Sequence, residues 1–287
     1  MRFTVTTLAG LFLILGMVFH SNQIHAKPAD QGKPLWEVGL YNIAARLPLY
    51  RGSGSDRWYV FPLPYLIYRG DVIQANREGV KGIFYKKGHI ETDISVYGNP
   101  PVDSDDKSRD EMPELDAIVE MGPSVKWHFI EQGLPDMFYL EAAVRGTGSV
   151  GFDRGMDMAY QGLHGVLRLC YYNEELFLNR GFSFGFTAGV DWADDRFNGY
   201  FYDVPDRYRQ PGREPFRSGG GYAGGSVMVS GQKRLTNSLW LGLFSRWENI
   251  TGAVFEESPL VGKENNLSMG CTLIWEIAVS DEKVGHP

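Results

Sequence analysis

Alternation between apolar and polar residues recurs along most of this chain and constrains its fold more than any other feature. Residues 181–192 show it best. The apolar positions there are Phe182, Phe184, Phe186, Ala188, Val190 and Trp192, and the polar positions between them are Ser183, Gly185, Thr187, Gly189 and Asp191. Successive side chains of a β-strand point to opposite faces, so this segment is predicted to be a strand with one apolar and one polar face.

The same pattern predicts twelve strands, or ten if the weakly alternating segments 71–77 and 80–86 are not strands. The predicted strands are 36–47, 58–68, 71–77, 80–86, 89–97, 114–129, 136–149, 157–172, 181–193, 220–233, 238–250 and 266–277. In 114–129, the residues expected on the apolar face are Leu115, Ala117, Val119, Met121, Val125, Trp127 and Phe129. The tail from Ser280 to the C-terminus is polar and is expected to be frayed.

The connections between these strands alternate in length. The links 48–57, 98–113, 150–156, 194–219 and 251–265 are long, and only 78–79 is short on that side. The links 69–70, 87–88, 130–135, 173–180 and 234–237 are all short. Short periplasmic turns, long outer loops and an even strand count are typical of outer-membrane barrels. The expected fold class is therefore all-β, an antiparallel transmembrane β-barrel.

A soluble β-sandwich also alternates, but its apolar faces form a shared core. Aromatic residues near the predicted strand ends favour the barrel, because membrane barrels carry aromatic girdles at both interfaces. These residues are Trp127, Phe129, Tyr171, Tyr172, Trp192, Trp247 and Trp275. Membrane lipid and lipopolysaccharide are then the expected surroundings.

The first 26 residues are predicted to be a cleaved secretory signal peptide. Arg2 is their only charge, 8–19 is an apolar core, and Ala26 is a suitable residue before the cut. The remaining 27–287 is expected to form a single barrel domain with a polar tail at 278–287. Without Arg2, 27 basic residues face 35 acidic ones. This acidic balance argues against nucleic acid as a partner.

Catalytic and cofactor chemistry is not indicated by the sequence. The histidines after residue 26 are His89, His128, His164 and His286. None belongs to a nucleophile motif, and no metal-ligand spacing is present, so no cofactor is expected. Cys170 lies on a polar face and Cys271 on an apolar face, which makes a disulfide between them improbable.

Charged residues of both signs fall on the predicted inner faces of the strands. The main candidates to line the lumen are Glu120, Lys126, Glu141, Arg145, Arg168, Asp191, Arg246 and Glu248. They could line a narrow pore or close the lumen with ion pairs, and Lys126 with Glu141 is one such candidate pair. Tyr139, Trp240 and Phe244 are also predicted to point inward. Mixed charges and large rings favour a mostly plugged lumen.

The long link 194–219 is rich in aromatic residues and arginines. Its binding candidates are Tyr200, Tyr202, Arg207, Tyr208 and Arg209. Aromatic residues and arginine are enriched at binding hot spots. The link is either an outer binding loop or a lid folded into the barrel mouth, and the sequence does not separate the two.

Several short motifs resemble the MipA/OmpV family of outer-membrane proteins, named after the MltA-interacting protein. They are Trp36-Glu37-Val38-Gly39-Leu40, Pro48-Leu49-Tyr50-Arg51-Gly52-Ser53, Pro62-Leu63-Pro64-Tyr65 and Glu257-Ser258-Pro259-Leu260-Val261. The resemblance lies in their order and spacing across the chain from residue 27 onward. Family members tend to end on an aromatic residue read by the barrel-insertion machinery, whereas here a polar tail follows the last strand.

The resemblance implies a non-enzymatic envelope protein. Its leading implication is a scaffold that brings a lytic transglycosylase together with a peptidoglycan synthase for cell-wall assembly. Other members are described as small pores or adhesins, so a small-solute pore and a surface adhesin remain alternatives.

Overall fold

The computed structural model describes residues 33–69, 73–76, 79–82, 85–102, 107–130, 136–151, 157–173 and 181–284. The strands in these ranges are β1 Lys33–Pro34, β2 Trp36–Pro48, β3 Asp56–Arg69, β4 Ile73–Asn76, β5 Gly79–Gly82, β6 Tyr85–Lys87, β7 Ile90–Asn99, β8 Ala117–His128, β9 Asp136–Gly151, β10 Asp157–Asn173, β11 Phe182–Ala193, β12 Gly221–Arg234, β13 Leu239–Asn249, β14 Asn265–Val279 and β15 Lys283–Val284. One helix, α1, spans Asp195–Tyr202, and short 3-10 turns occur at Lys107–Arg109 and Asp206–Tyr208. The predicted signal peptide lies outside the described residues.

The strands from β2 to β14 form one antiparallel sheet. Its order is β5-β4-β3-β2-β14-β13-β12-β11-β10-β9-β8-β7-β6. Neighbours in sequence are therefore neighbours in space, as in an up-and-down barrel. The strand ends that flank the long links lie at one end of the sheet, which we call the long-loop end, and the opposite strand ends lie at the short-turn end.

The sheet is rolled up, because its two edges are almost consecutive in the chain. Only residues 83 and 84 separate the edge strands β5 and β6. Three peptide steps span at most about 11 Å, so the edges cannot lie far apart. The predicted strand 80–86 corresponds to these two segments, one paired with β4 and the other with β7. The twelve predicted strands thus all have counterparts in the sheet.

A contact across the interior gives independent evidence of curvature. Arg246 on β13 donates a hydrogen bond to the Tyr97 hydroxyl on β7 over 3.3 Å. Five strands separate β13 from β7 in the sheet. In a flat sheet, strands about 4.8 Å apart would hold these side chains far beyond contact. The inner face therefore encloses an interior.

The C-terminal tail departs from the sequence prediction. The last strand continues to Val279, and β15 pairs with β1 instead of fraying. The amide of Leu35 donates to the carbonyl of Glu282 over 2.9 Å, and that of Ser280 donates to Trp36 over the same distance. Backbone pairing satisfies the polar groups of both ends, so the segments that flank the barrel are joined at the short-turn end.

Candidate functional site: the closed interior and its plug

The two faces of the sheet have inverted polarity relative to a water-soluble protein. Large apolar side chains are exposed on the outer face, among them Trp58, Val60, Met121, Val144, Leu243 and Ile277. Charged side chains are buried on the inner face, among them Glu120, Glu141, Arg145, Arg168 and Asp191. Water does not favour an exposed apolar belt of this extent, whereas lipid does.

Exposed aromatic side chains lie near both ends of the outer face. Trp58, Tyr160, Trp192 and Trp247 are near the long-loop end, and Trp36, Trp127, Phe129 and Trp275 are near the short-turn end. Trp247 lies eight positions after Leu239, the partner of Trp275, along β13. At about 3.4 Å per residue this is about 27 Å of strand, which at a tilt of about 40° spans about 21 Å of an outer-membrane apolar band about 25 Å tall. Tyr172, predicted to belong to a girdle, is instead buried inside.

The long-loop end is closed by a structure that we call the plug, residues 49–55, 107–116, 194–220 and 250–264. Its segments share one apolar cluster with the strand residues at the long-loop end. The buried members include Leu49, Tyr50, Leu115, Phe197, Phe201, Tyr202, Ala253 and Phe255. The sequence predicts Leu115 and Ala117 on the lipid-facing side, and this prediction is wrong, because both are buried, Leu115 within the apolar cluster of the plug.

Helix α1 is the central element of the plug, and Asp194 fixes its start. One carboxylate oxygen of Asp194 accepts the amide of Phe197 over 2.8 Å, as an N-cap should. The other accepts the amide of Leu163 on β10 over 2.9 Å. A β-bulge beside Gly162, whose φ is 108°, provides the space for this contact. At the other helix end, Arg109 donates to the carbonyl of Phe201 over 2.8 Å.

Tyr202 joins the segments that carry the family-like motifs. Its ring stacks on Phe255 with centroids 3.7 Å apart. Its hydroxyl donates to the carbonyl of Arg51 over 2.7 Å, and its own carbonyl accepts from the Ser258 hydroxyl over 2.7 Å. The Tyr50 hydroxyl donates to the carbonyl of Leu260 over 2.7 Å. The motifs at 48–53 and 257–261 thus meet around one buried tyrosine.

Arg51 connects the plug to the barrel wall. Its guanidinium lies 2.9 Å from the Asp191 carboxylate on β11 and 3.1 Å from the Glu248 carboxylate on β13. It also donates to the carbonyl of Ala223 over 3.0 Å. Three separate strands therefore hold one loop arginine, which fixes the position of the first outer loop.

The pKa values of Arg51 and Tyr202 are both shifted by the surroundings of these side chains. Burial alone would lower the pKa of Arg51, but attraction by Asp191 and Glu248 outweighs it and raises that pKa above its ordinary value. Burial raises the pKa of the Tyr202 phenol well above its usual range, and the nearby charge of Arg51 offsets only part of this. Arg51 is therefore a permanent cation, and Tyr202 stays a neutral donor.

Below the plug, His164 lies between two carboxylates. Its Nδ1 atom is 2.7 Å from Glu120, and its Nε2 atom is 3.4 Å from Asp191. The ring stacks on Phe197 of the plug, with centroids 4.8 Å apart. A neutral imidazole has one N–H donor, so two facing carboxylates fit the doubly protonated imidazolium.

A second group of charges fills the interior nearer the short-turn end. Lys126 is 2.8 Å from Asp93 and 3.7 Å from Glu91. Lys126 also lies directly opposite Glu141 in the sheet register, and an ion pair between them stays a prediction. Tyr139, Trp240 and Phe244 are buried at the same inner face. These side chains occupy the space that an open channel would need.

A cavity of about 120 Å³ remains between the plug and the charged part of the interior. The plug side is apolar and includes Leu49, Phe197, Phe201 and Phe255. The opposite side is charged and includes Glu120, His164, Arg168, Asp191, Arg246 and Glu248. Charges in such an enclosed space need partners or water, because isolated burial is costly.

The structure separates the two sets of sequence candidates. All eight lumen candidates lie on the inner face, with Arg246 partly and the other seven fully buried. In the loop set, Arg207 and Arg209 are exposed, Tyr200 and Tyr208 are partly buried, and Tyr202 is buried. The link 194–219 is therefore folded into the mouth as a lid, with two arginines on its outer surface.

Three further residues of the interior do not belong to the predicted lumen set. His164 is in phase with Arg168 along β10, which is a local signal for its inward direction. Tyr97 on β7 is in phase with Asp93 and faces Arg145 and Arg168 at ring distances of 5.5 and 5.9 Å. Arg51 belongs to a loop, where no periodicity applies, so no sequence signal directs it inward.

Within the described ranges, no three His, Cys, Asp or Glu side chains are grouped so as to hold a metal ion. Cys170 is buried, Cys271 is exposed, and both are free thiols, as their opposite faces predicted. No helix in the described part of the chain has the length and apolarity needed to cross a membrane.

The model of the family described as "MltA-interacting protein MipA" matches residues 40–277. The chain belongs to this family. The match covers most of the chain, including every strand from β3 to β13, and it agrees with the resemblance carried by the motifs. This MipA-family protein is an outer-membrane β-barrel, with its apolar belt outside and its charges inside.

No curated protein matches the chain. Among solved structures, a bacterial polysaccharide outer-membrane secretin is similar at 10% identity, with 84% of this chain and 99% of that chain covered and a TM-score of 0.42. The outer-membrane protease OmpT from Escherichia coli is similar at 10% identity, with 90% of this chain and 100% of that chain covered and a TM-score of 0.26. The Ralstonia pickettii toluene transporter TbuX is similar at 10% identity, with 88% of this chain and 71% of that chain covered and a TM-score of 0.26.

Proposed function

We propose that this protein is a non-enzymatic scaffold that brings a lytic transglycosylase together with a peptidoglycan synthase at its short-turn end. The name of the matching family supports the first partner, since that family is described as MltA-interacting. The observation that favours a scaffold over a channel is the closed interior. The plug covers one mouth, and ion pairs such as Arg51–Asp191 join the plug to the barrel wall.

The contact surface in this proposal is the periplasmic, short-turn end. It comprises the turns 130–135, 173–180 and 234–237 together with the two chain ends. Residues 131–135 and 174–180 lie outside the described residues. In the described turn, Leu235 is half exposed, and β1 and β15 pair at the same end of the barrel. Leu235 offers a protein partner an apolar side chain to bury, and burial of apolar surface drives association.

The direct test is recovery of partners with the barrel. The protein is crosslinked in intact cells, purified in detergent, and its companions are identified by mass spectrometry. A lytic transglycosylase or a peptidoglycan synthase is expected to be enriched over an unrelated barrel. Replacement of 174–180 by a Gly-Asn turn, or Leu235→Asp, is expected to reduce that recovery. Arg207→Ala, at the opposite end, serves as the matched control and should leave it unchanged. Recovery of the barrel alone would overturn the proposal.

A small-solute pore is the second candidate, and the charged cavity favours it. This function predicts discrete conductance steps in planar bilayers. Arg145→Glu and Arg168→Glu should change the ion selectivity of those steps, because charges that line a narrow path set its selectivity. A silent bilayer containing folded protein would count against the pore.

An adhesin is the third candidate, favoured by the exposed Arg207 and Arg209 on the outer surface of the plug. Trimming the whole link 194–219 would also remove α1, so the double substitution R207A/R209A is the cleaner test. Unchanged adhesion of cells that carry this variant would exclude these arginines as the adhesive contact.

A further inference from the structure

We propose that the cavity beneath the plug binds a small organic monocarboxylate, whose carboxylate contacts Arg246 and whose apolar part packs against the plug. This site is separate from the proposed partner surface at the short-turn end. Four features of the cavity support this site. They are a wall with one apolar and one charged side, an excess of positive charge, a buried N–H donor on Arg246 and the cavity volume.

The wall of the cavity is divided by polarity. The aromatic rings of Phe197, Phe201 and Phe255 form its plug side, and the charged residues lie opposite. A ligand that is apolar at one end and charged at the other satisfies both sides at once. A purely apolar ligand would leave the charges without solvent, and a multiply charged one would place charge on the rings.

The charges that face the cavity favour an anion. With His164 as the imidazolium that its two carboxylate neighbours require, the cations are Arg51, Arg168, Arg246 and His164, and the buried carboxylates are Glu120, Asp191 and Glu248. Asp116 also lines the cavity but is exposed at its rim, where water screens it. Behind the cavity, Arg145 and Glu141 balance each other at 4.0 Å. The enclosed part of the wall therefore carries one excess positive charge, which an anion offsets.

Arg246 has a donor available for that anion. One guanidinium nitrogen donates to Tyr97, and another is 3.0 Å from Glu248. The Nε–H of Arg246 is buried and has no hydrogen-bond partner among the described residues. Guanidinium groups recognise carboxylates through such fixed N–H donors, and the resulting charge-assisted bonds are strong.

The volume limits the size of the ligand. At about 120 Å³, the cavity is somewhat smaller than the roughly 150 Å³ apolar cavity that accepts benzene. A four-carbon acid is therefore a suitable probe, and butyrate is the one chosen. Asn99 and Pro100 line the same cavity and are only partly buried, so ligand access is from the long-loop end.

The test is calorimetric titration of the folded, detergent-solubilised full chain with butyrate and, in parallel, with butyramide. Butyramide has nearly the same shape without the charge. Butyrate is expected to bind at least about tenfold more tightly, because a hydrogen bond to a charged group contributes that much. Arg246→Gln should remove this preference, Arg246→Lys should keep part of it, and the exposed Arg207→Gln should not change it.

The wild-type comparison decides the proposal even if Arg246→Gln fails to fold. No heat of binding with butyrate, or equal affinity for butyrate and butyramide, would overturn it. Arg168→Gln provides a second variant on the same cavity wall, with the same expected loss. If both folded variants retained the full preference for butyrate, the ligand would bind elsewhere and the assignment to this cavity would be wrong. None of these outcomes depends on recovery of cell-wall enzymes.

Discussion

The guanidinium of Arg51 lies 2.9 Å from the carboxylate of Asp191, although one residue belongs to the first outer loop and the other to β11. The same guanidinium reaches Glu248 on β13. This one side chain therefore ties the plug to two strands of the wall. The contact makes the plug part of the folded barrel instead of a set of independent loops.

Removal of Arg51 is expected to destabilise the barrel strongly. Arg51→Ala leaves Asp191 and Glu248 buried without their shared partner, and breaking a buried pair in this way costs about 3–5 kcal/mol. The free energy of unfolding is measured by tryptophan fluorescence in guanidinium. Arg209→Ala breaks the exposed pair with Glu214 and should cost less than about 1 kcal/mol. Equal losses in the two variants would contradict the role of Arg51.

Stability should fall at high pH through Tyr202. Burial raises the pKa of this phenol in the folded protein, whereas the unfolded chain titrates near the ordinary value of about 10. The neutral phenol therefore contributes fully to folding stability below pH of about 10. This contribution is lost as pH rises from there toward the folded pKa, because the unfolded state releases the proton first. Unfolding midpoints from pH 8 to 11 would be compared between wild type and Tyr202→Phe. The substitution should cost about 1 kcal/mol at neutral pH by removing one hydrogen bond, and it should flatten the decline at high pH. If the unfolding midpoints of the two proteins fell in parallel with pH, Tyr202 would not be the source of the decline.

Gly162 should not tolerate a side chain. Its φ of 108° is unfavourable for any other residue, and an added Cβ would collide with the carboxylate of Asp194 and the amide of Phe197. Gly162→Ala is expected to lower stability by about 1–3 kcal/mol and to loosen α1. Proteolysis of the folded protein would show the loosening as new cleavage within 194–220. Gly219→Ala, where a Cβ meets nothing within 4 Å, is the control and should remain resistant. Equal resistance of both variants would show that the bulge does not position the helix.

The two cysteines should differ in reactivity. Cys271 is exposed on the outer face, and Cys170 is buried inside. An apolar maleimide should therefore label the folded protein once, and denaturant should reveal the second thiol. Mass spectrometry of Cys271→Ser should then show no label until the protein unfolds. Labelling of folded Cys271→Ser would mean that Cys170 is reachable and that the interior is more open than described.

The plug is expected to be the element that prevents conduction. Replacement of 195–219 by a short Gly-Ser linker removes α1 and uncovers the charged cavity. Planar bilayers should be silent with wild-type protein and should show conductance with the shortened variant, provided that electrophoresis confirms folding of both. Conductance by the wild type at the same level would favour the pore over the scaffold.

Much of the barrel wall could be predicted from the sequence. Strand β11 illustrates why: its two faces follow directly from the alternation of Phe182 to Trp192, since neighbouring side chains of a strand must point in opposite directions. The inward positions of Glu120, Arg145 and Asp191 come from the same local rule. The division of loop lengths likewise follows from counting residues between strands.

The plug could not be predicted in this way. Arg51, Tyr202 and Leu115 lie in or beside loops, where direction does not follow a two-residue period. Leu115 is buried because it packs in one apolar cluster with residues of other loops, and Tyr202 is buried because Phe255 and Ser258 reach it from another loop. The sequence by itself determined the strands, their faces and their order, because these depend on neighbours along the chain. Only the tertiary structure decided that the mouth is closed and that a loop arginine completes the interior, because these depend on contacts between segments far apart in the chain, such as Tyr50 and Leu260, which are 210 residues apart.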